Sequence, residues 1–197
     1  MKKFLTYTLL GVLLAGCAGG GREPLETVVD KALAGAGIEL IGMERREFLL
    51  RDALDKVKDR YDFLFIDCPP SLELLTLNAL CAADAILVPV QGEYYALEGL
   101  SDLMNTVRIV RRSLNPRLEL DGVLLTMFDG RTNLALQVAE EVKHYFPGKV
   151  YATVIPRNVR LSEAPSHGKP ITAYDRTSRG AEAYTAFAAE FLKKQSA

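Results

Sequence analysis

Apolar residues along this chain alternate between two patterns, short continuous runs and helical spacing, with short connections between them. Continuous apolar runs bounded by polar residues are typical of strands that are covered on both faces of a sheet. The runs that fit this description are residues 63–66, 85–90, 123–127 and 150–155. The repeated β-α order therefore predicts a three-layer α/β sandwich with a mainly parallel sheet.

The segments between these runs carry apolar residues at the spacing of amphipathic helices. The predicted helices are residues 25–34, 46–60, 72–83, 97–114, 134–146 and 180–194. Right-handed crossovers bring the carboxyl ends of parallel strands to one edge of a sheet, where ligands bind in folds of this kind. The residues that follow each predicted strand are therefore the first candidates for chemistry.

Composition limits the possible classes of protein. With 197 residues, of which 49% are hydrophobic and 25% charged, the chain is long enough for one well-filled core. The formal net charge of -1 gives no bulk reason to bind nucleic acid, so any such binding must come from a local basic face. Cys17, Cys68 and Cys81 have no metal-binding spacing, and an odd number argues against a disulfide framework.

The first 21 residues differ from the rest of the chain. Lys2 and Lys3 precede an apolar run at residues 4–14, and Leu-Ala-Gly-Cys at 14–17 is typical of a bacterial lipoprotein cleavage box. We predict that residues 1–21 are a lipoprotein-like signal and glycine linker, with Cys17 as the lipidation site, and that residues 22–197 form the folded domain. The alternative is that this segment was joined to an unrelated gene.

The run at residues 63–66 is followed directly by Asp67, then by Cys68, Pro69, Pro70 and Ser71. A carboxylate at the carboxyl end of a buried strand can hold the water shell of a nucleotide-bound magnesium ion, which is a Walker B pattern. Strands also end in aspartate for structural reasons, as a turn residue or helix cap. The proline pair predicts a stiff extended turn, and Ser71 is the expected N-cap of the next helix.

Four segments together resemble the ParA/Soj family of chromosome and plasmid partition ATPases, which are relatives of the MinD division-site ATPases. They are YDFLFIDCPPSLELLTLNAL (61–80), VPVQGEYYALEGL (88–100), GVLLTMFDGRTN (122–133) and VIPRNVRLSEAPSHGKP (154–170). The resemblance extends from about residue 33 to 194. Small departures are Glu73, where the family usually has glycine, and Gly92, where it usually has cysteine. The resemblance implies a fold of the deviant P-loop NTPase type that binds ATP and Mg²⁺.

One departure from the family is large. Members open with a strand and the phosphate-binding motif K-G-G-x-G-K-T, and a second strand ending in aspartate follows; the sequence contains neither. The glycine cluster at residues 19–21 has no following lysine and is typical of a flexible linker. We therefore expect a fold that lacks its first strands, with apolar strand edges exposed, and a chain that does not hydrolyse ATP by itself.

The resemblance also implies roles for other residues. Pro156, Arg157 and Asn158 correspond to the loop that packs on adenine, and Thr126 and Met127 could line the same pocket. A turn and core packing are the structural alternatives. Relatives form an ATP-bound homodimer, bind DNA without sequence preference and act with a ParB-type centromere-binding protein. The candidates for DNA contact are Arg131, Lys143, Arg160 and Arg179.

Two functions remain open. The first is a partition ATPase of the cytoplasm and nucleoid, inactive as an ATPase in this form. The second is a membrane-anchored lipoprotein whose α/β body is a non-catalytic binding module.

Overall fold

The computed structural model describes the backbone of residues 3–8 and, beyond it, residues 44–68 and 73–196. Its strands are β1 (Lys3–Thr8), β2 (Phe63–Cys68), β3 (Ala85–Gln91) and β4 (Glu119–Thr126). Its α-helices are α1 (Leu49–Leu54), α2 (Leu74–Ala82), α3 (Tyr95–Ser113), α4 (Asn133–Tyr145), α5 (Val159–Glu163), α6 (Ile171–Tyr174) and α7 (Arg179–Gln195). The predicted helix at 25–34, Cys17 and Ser71 lie outside the described residues.

The strands form one sheet in the order β2-β1-β3-β4. β1 pairs in parallel with β2, with Lys3 opposite Phe63, and with β3, with Leu5 opposite Ala85. The interleaved helices and parallel strands confirm the predicted α/β class. Residues 3–8, which the sequence pattern assigns to a leader, thus lie between β2 and β3, where we had expected exposed strand edges.

The chain divides into two compact units. Of the described residues, the first unit contains 3–8, 44–68, 73–87 and 102–121, and the second contains 88–101 and 122–196. β3, β4 and α3 each contribute residues to both units.

In the first unit, α1, α2 and β2 enclose an apolar core. It consists of Leu50, Leu54, Val57, Leu64, Cys68, Ala79 and Ala82. The single helix predicted over 46–60 is wrong, because the segment is divided into a 3-10 turn at Arg46–Phe48, α1, and a second 3-10 turn at Lys58–Arg60. After Leu54 the amides of Lys56 and Val57 bond three residues back, to Ala53 and Leu54, and this tighter winding turns Val57 into the core.

The strands differ in how far they are covered. In β3, five of the six residues from Ala85 to Val90 are buried, as the continuous apolar run predicts. β2 instead alternates: Leu64 and Cys68 are buried, whereas Phe65 is 41% exposed and Asp67 is exposed. The prediction that both faces of β2 are covered is therefore wrong, since α1 and α2 pack against the face that carries Leu64 and Cys68.

In the second unit, the strand predicted at 150–155 is not formed. The segment pairs with β4 and its following loop only at isolated bridges, Val123 with Val150 and Phe128 with Pro156. Between them the amides of Ala152 and Thr153 donate to the carboxylate of Glu190 on α7, at 2.7 and 2.8 Å. A side chain thus replaces the neighbouring strand as acceptor, and the ladder is interrupted.

The longer helices of the second unit begin at polar caps. The hydroxyls of Thr132 and Ser178 accept hydrogen bonds from the amides of Ala135 and Ala181, at the starts of α4 and α7. Gly122 lies on β4 where an added Cβ would be 2.5 Å from the ring of Tyr151, so the close approach requires glycine. Among the helices of the described residues, none is long and apolar enough to cross a membrane.

Candidate functional site

Asp67 is the penultimate residue of β2 and lies in the first unit. Its side chain is exposed, and its backbone is opposite Tyr7 in the register of β1. The next residue, Cys68, is buried, and burial together with the charge of Asp67 raises the pKa of its thiol to about 12. The sequence thus placed the carboxylate correctly near the carboxyl end of the strand, while Pro69, Pro70 and Ser71 lie outside the described residues.

In the second unit, the end of β4 and the start of the 156–158 loop come together. The amide of Phe128 donates to the carbonyl of Ile155 at 3.1 Å, and the amide of Arg157 donates to the carbonyl of Phe128 at 3.2 Å. We call the five residues that this pairing assembles the β4 corner: Thr126, Met127, Pro156, Arg157 and Asn158. The pairing brings the three residues of the expected adenine loop together with the two residues of β4 and its end that were expected beside them.

The backbone of the β4 corner turns sharply at Met127, whose φ of 47° lies in the left-handed region. A residue with a side chain pays free energy to adopt that conformation, so the surrounding hydrogen bonds must hold it there. Met127 and Pro156 are half-buried, whereas Arg157 is exposed. The corner therefore presents two apolar groups beside an exposed cationic side chain.

Two polar side chains of the β4 corner already have structural partners. Asn158 caps α5, with its Oδ1 accepting from the amide of Arg160 at 2.9 Å. Thr126 donates from its hydroxyl to the carbonyl of Val90 at 3.4 Å. The structural alternatives for these two residues are thus present in the fold, and the side-chain amide nitrogen of Asn158 is the group that its capping role does not use.

Two carboxylates that the sequence pattern did not assign to the adenine loop lie close to the β4 corner. Glu93 forms an ion pair with Arg157 at 3.7 Å. Asp129 accepts from Nε and an Nη of Arg131 at 2.8 and 2.7 Å, and also from the backbone amide of Arg131. The hydrogen bonds from Arg131 hold the pKa of Asp129 far below its usual value. The Asp-Gly-Arg order directly after a strand was the signal that could have indicated this pair.

The candidate DNA-contacting residues all lie in the second unit and are exposed. Besides the Arg131 pair, Lys143 lies 3.6 Å from Glu140, and Arg160 contacts Glu163 at 2.9 Å and Asp175 at 3.4 Å. Arg179 is the first residue of α7. Exposed ion pairs of this kind contribute little to stability, so a stronger anion can displace the carboxylates.

Three comparisons with known proteins identify what this chain is similar to. A family model described as "AAA domain" matches residues 26–120. The chain is 65% identical over 158 residues to the sporulation initiation inhibitor protein Soj of Bacillus subtilis (strain 168), covering 80% of this chain. It is 52% identical over 183 residues to the chromosome-partitioning ATPase Soj of Thermus thermophilus, covering 87% of this chain and 72% of that protein.

The fold of the chain is also similar to that of a solved structure. Cobyrinic acid a,c-diamide synthase from Mycobacterium smegmatis, with bound ADP and magnesium, matches with a TM-score of 0.69 and 36% identity, over 84% of this chain and 60% of that one. The chain spans 62% of the length of the Bacillus relative, so the match covers only part of that protein.

Proposed function

Because the chain belongs to the Soj/ParA family of chromosome-partitioning ATPases, we propose that it takes part in DNA partition and carries the magnesium-side and adenine-side residues of such an ATPase. The observation that carries this proposal is the exposed carboxylate of Asp67 near the carboxyl end of a parallel strand. That is the position where α/β folds of this kind bind ligands.

Asp67 fits the needs of a nucleotide-bound magnesium ion. Magnesium prefers oxygen ligands and usually keeps several waters while contacting one or two carboxylates and the phosphates of a nucleotide. Within the described residues there is no group of three potential metal ligands. When bound, the metal would neutralise charge on the phosphates, and Asp67 would orient its water shell.

The β4 corner supports a role in holding the adenine ring. Met127 and Pro156 supply apolar surface, and the side-chain amide nitrogen of Asn158 is a hydrogen-bond donor beside them. Both halves of the corner are fixed by backbone hydrogen bonds, so little ordering is required when a ring packs against it.

The phosphates are the group that this chain is not equipped to hold. The 197 residues contain no K-G-G-x-G-K-T motif. Without its backbone amides and lysines, the triphosphate charge and the charge that develops during hydrolysis are left without donors. We therefore propose that these residues alone bind ATP with magnesium weakly and do not turn it over.

Titration calorimetry tests this proposal directly. We expect no saturable binding at micromolar ATP with magnesium, and a micromolar dissociation constant would contradict the proposal. A chimera that adds the P-loop segment of a close relative should regain binding. In that chimera, Asp67→Ala should lower turnover far more than affinity, whereas Asp62→Ala, which removes an exposed aspartate at the other end of the same strand, should change neither. Unchanged turnover in Asp67→Ala would remove this residue from the magnesium role.

We further propose that the ATP-bound form is a homodimer that binds DNA without sequence preference and works with a ParB-type partner. Arg131, Lys143, Arg160 and Arg179 would contact phosphates by charge alone, displacing the weak surface ion pairs described above. In the chimera, replacing one such residue, for example Arg179→Ala, should reduce the slope of log affinity against log salt by about 1. Arg45→Ala, an exposed arginine of the first unit, is the control and should leave the slope unchanged.

For localisation we propose the cytoplasm. The supporting observations are that residues 3–8 of the leader take part in the sheet and that Cys68 and Cys81 are buried free thiols, which suit a reducing compartment. The second candidate is a membrane-anchored lipoprotein with a non-catalytic body, and it rests on Lys2, Lys3 and the box at 14–17. Radiolabelled palmitate on the full chain, with Cys17→Ser as control, distinguishes them: label in the wild type alone would overturn the cytoplasmic assignment.

A further inference from the structure

The carboxyl-terminal half of α3 carries a concentration of positive charge that the partition function does not use. A groove in the first unit is lined by Met104, Val107, Arg108, Arg111, Arg112 and Pro116. All three arginines are exposed. In the part of the chain that the structure describes, no carboxylate forms an ion pair with any of them, in contrast to Arg131 and Arg160 in the second unit.

The groove is held in place by buried hydrogen bonds. Asn115, which follows α3 and is 5% exposed, donates from its side-chain amide to the carbonyls of Leu80 and Ala83 at 3.0 and 2.7 Å. Arg108 is itself oriented, because its guanidinium donates to Oδ1 of Asn105 at 2.7 Å. The cations therefore project from a fixed support.

The helix dipole accounts for part of this charge, since basic residues in the last turn of a helix interact favourably with it. Arg111 and Arg112 lie in that turn. Arg108 lies a turn earlier, about 6 Å along the axis from Arg112. Three guanidinium groups on one support, with Ile109 also 64% exposed beside them, exceed what capping the helix requires.

We propose that this groove, hereafter the α3 groove, is the docking site of an acidic peptide segment of a partner protein. Arginine pairs with carboxylates in two-point hydrogen bonds, which supplies the charge recognition. The apolar floor decides between the possible anions. Met104 and Pro116 offer surface to an aliphatic side chain above the buried Val107, and a peptide carries such side chains beside its carboxylates whereas a phosphodiester backbone does not. A groove also suits an extended or helical segment better than the flat surface of a membrane.

Fluorescence anisotropy on the full 197-residue chain tests the proposal, with a short labelled peptide of repeating Glu-Glu-Leu units as the probe. We expect saturable binding that weakens about tenfold in Arg111→Ala/Arg112→Ala, since the variant loses two exposed charge pairs with the probe. Both side chains are exposed, so thermal unfolding of the variant should match the wild type, which separates loss of binding from loss of fold.

The matched control is Lys169→Ala/Arg176→Ala, which removes two exposed cations from the second unit and should leave peptide affinity unchanged. A probe in which lysine replaces glutamate should not bind. Absence of binding by the acidic probe, or an equal loss in the control variant, would overturn the proposal. So would binding of a short DNA duplex or of phosphatidylglycerol vesicles that is lost in Arg111→Ala/Arg112→Ala while the acidic peptide does not bind.

Discussion

Asn78 offers the sharpest test of how the first unit is held together. Its side chain is fully buried, on α2, and makes three hydrogen bonds. Oδ1 accepts from the amide of Leu50 at 3.2 Å, and Nδ2 donates to the carbonyls of Arg46 and Leu74 at 2.8 and 3.0 Å. This one residue therefore ties the segment before β2 to the helix after it.

Replacing Asn78 by alanine removes all three bonds. At about 1 kcal/mol each, the loss is roughly 3 kcal/mol. The buried amide of Leu50 is then left without an acceptor, which adds about 1 kcal/mol or more, while the better helix propensity of alanine returns about 0.6 kcal/mol. We expect Asn78→Ala to lower the free energy of unfolding by about 3 kcal/mol, a large fraction of the 5–15 kcal/mol typical of a domain.

Equilibrium urea unfolding followed by circular dichroism measures this change. The matched control is Asn105→Ala, an exposed asparagine on α3 that bonds only another surface side chain, and its effect should stay within about 0.5 kcal/mol. A loss below about 1 kcal/mol in Asn78→Ala, with an unchanged dependence on urea, would show that these buried bonds do not connect the two segments as described.

Three further predictions concern single residues. Burial opposes the charged form of Glu190, but hydrogen bonds from Thr153 and Ala152 outweigh this effect and lower the pKa of the carboxyl group. The wild type should therefore be more stable than Glu190→Gln at neutral pH, and this difference should disappear as the pH falls below about 4.3. Urea unfolding across pH measures it. Gly122→Ala should cost about 1–3 kcal/mol in the same assay, because its Cβ would overlap Tyr151. Cys68, with a pKa raised to about 12, should react with a thiol reagent at pH 8 only after unfolding; rapid labelling of the native chain would contradict its burial.

Much of the fold could be predicted from the hydrophobic pattern, because the pattern reflects burial by neighbouring elements. α3, α4 and α7 lie within one or two residues of their predicted bounds, and β3 is buried as its continuous apolar run indicated. The strand at 150–155 had an equally good pattern. It is interrupted because Glu190, 38 residues away, bonds its amides, and local hydrophobicity carries no information about a contact at that separation.

The candidate site, too, could be predicted from the sequence only in part. The residues of the β4 corner lie at the end of one predicted strand, 123–127, or directly after another, 150–155, so parallel topology predicts that they meet at one edge. The ion pairs of Arg131 with Asp129 and Arg157 with Glu93 depend on side-chain geometry that a sequence pattern does not encode. The position of residues 3–8 was likewise missed, because a short apolar run after two lysines is as typical of an exported leader as of a strand.

The contact between Glu190 and residues 152 and 153 also makes two amides into reporters of a distant helix. In a ladder, their protons would exchange with solvent when the neighbouring strand separates. Here the acceptor is a carboxylate on α7, so they should exchange at the rate at which α7 detaches, while the amides of Tyr151 and Ile155, bonded to β4, remain protected. During synthesis the same dependence means that this segment gains its last acceptors only once residue 190 has left the ribosome, so the second unit completes its hydrogen bonding from its carboxyl-terminal end.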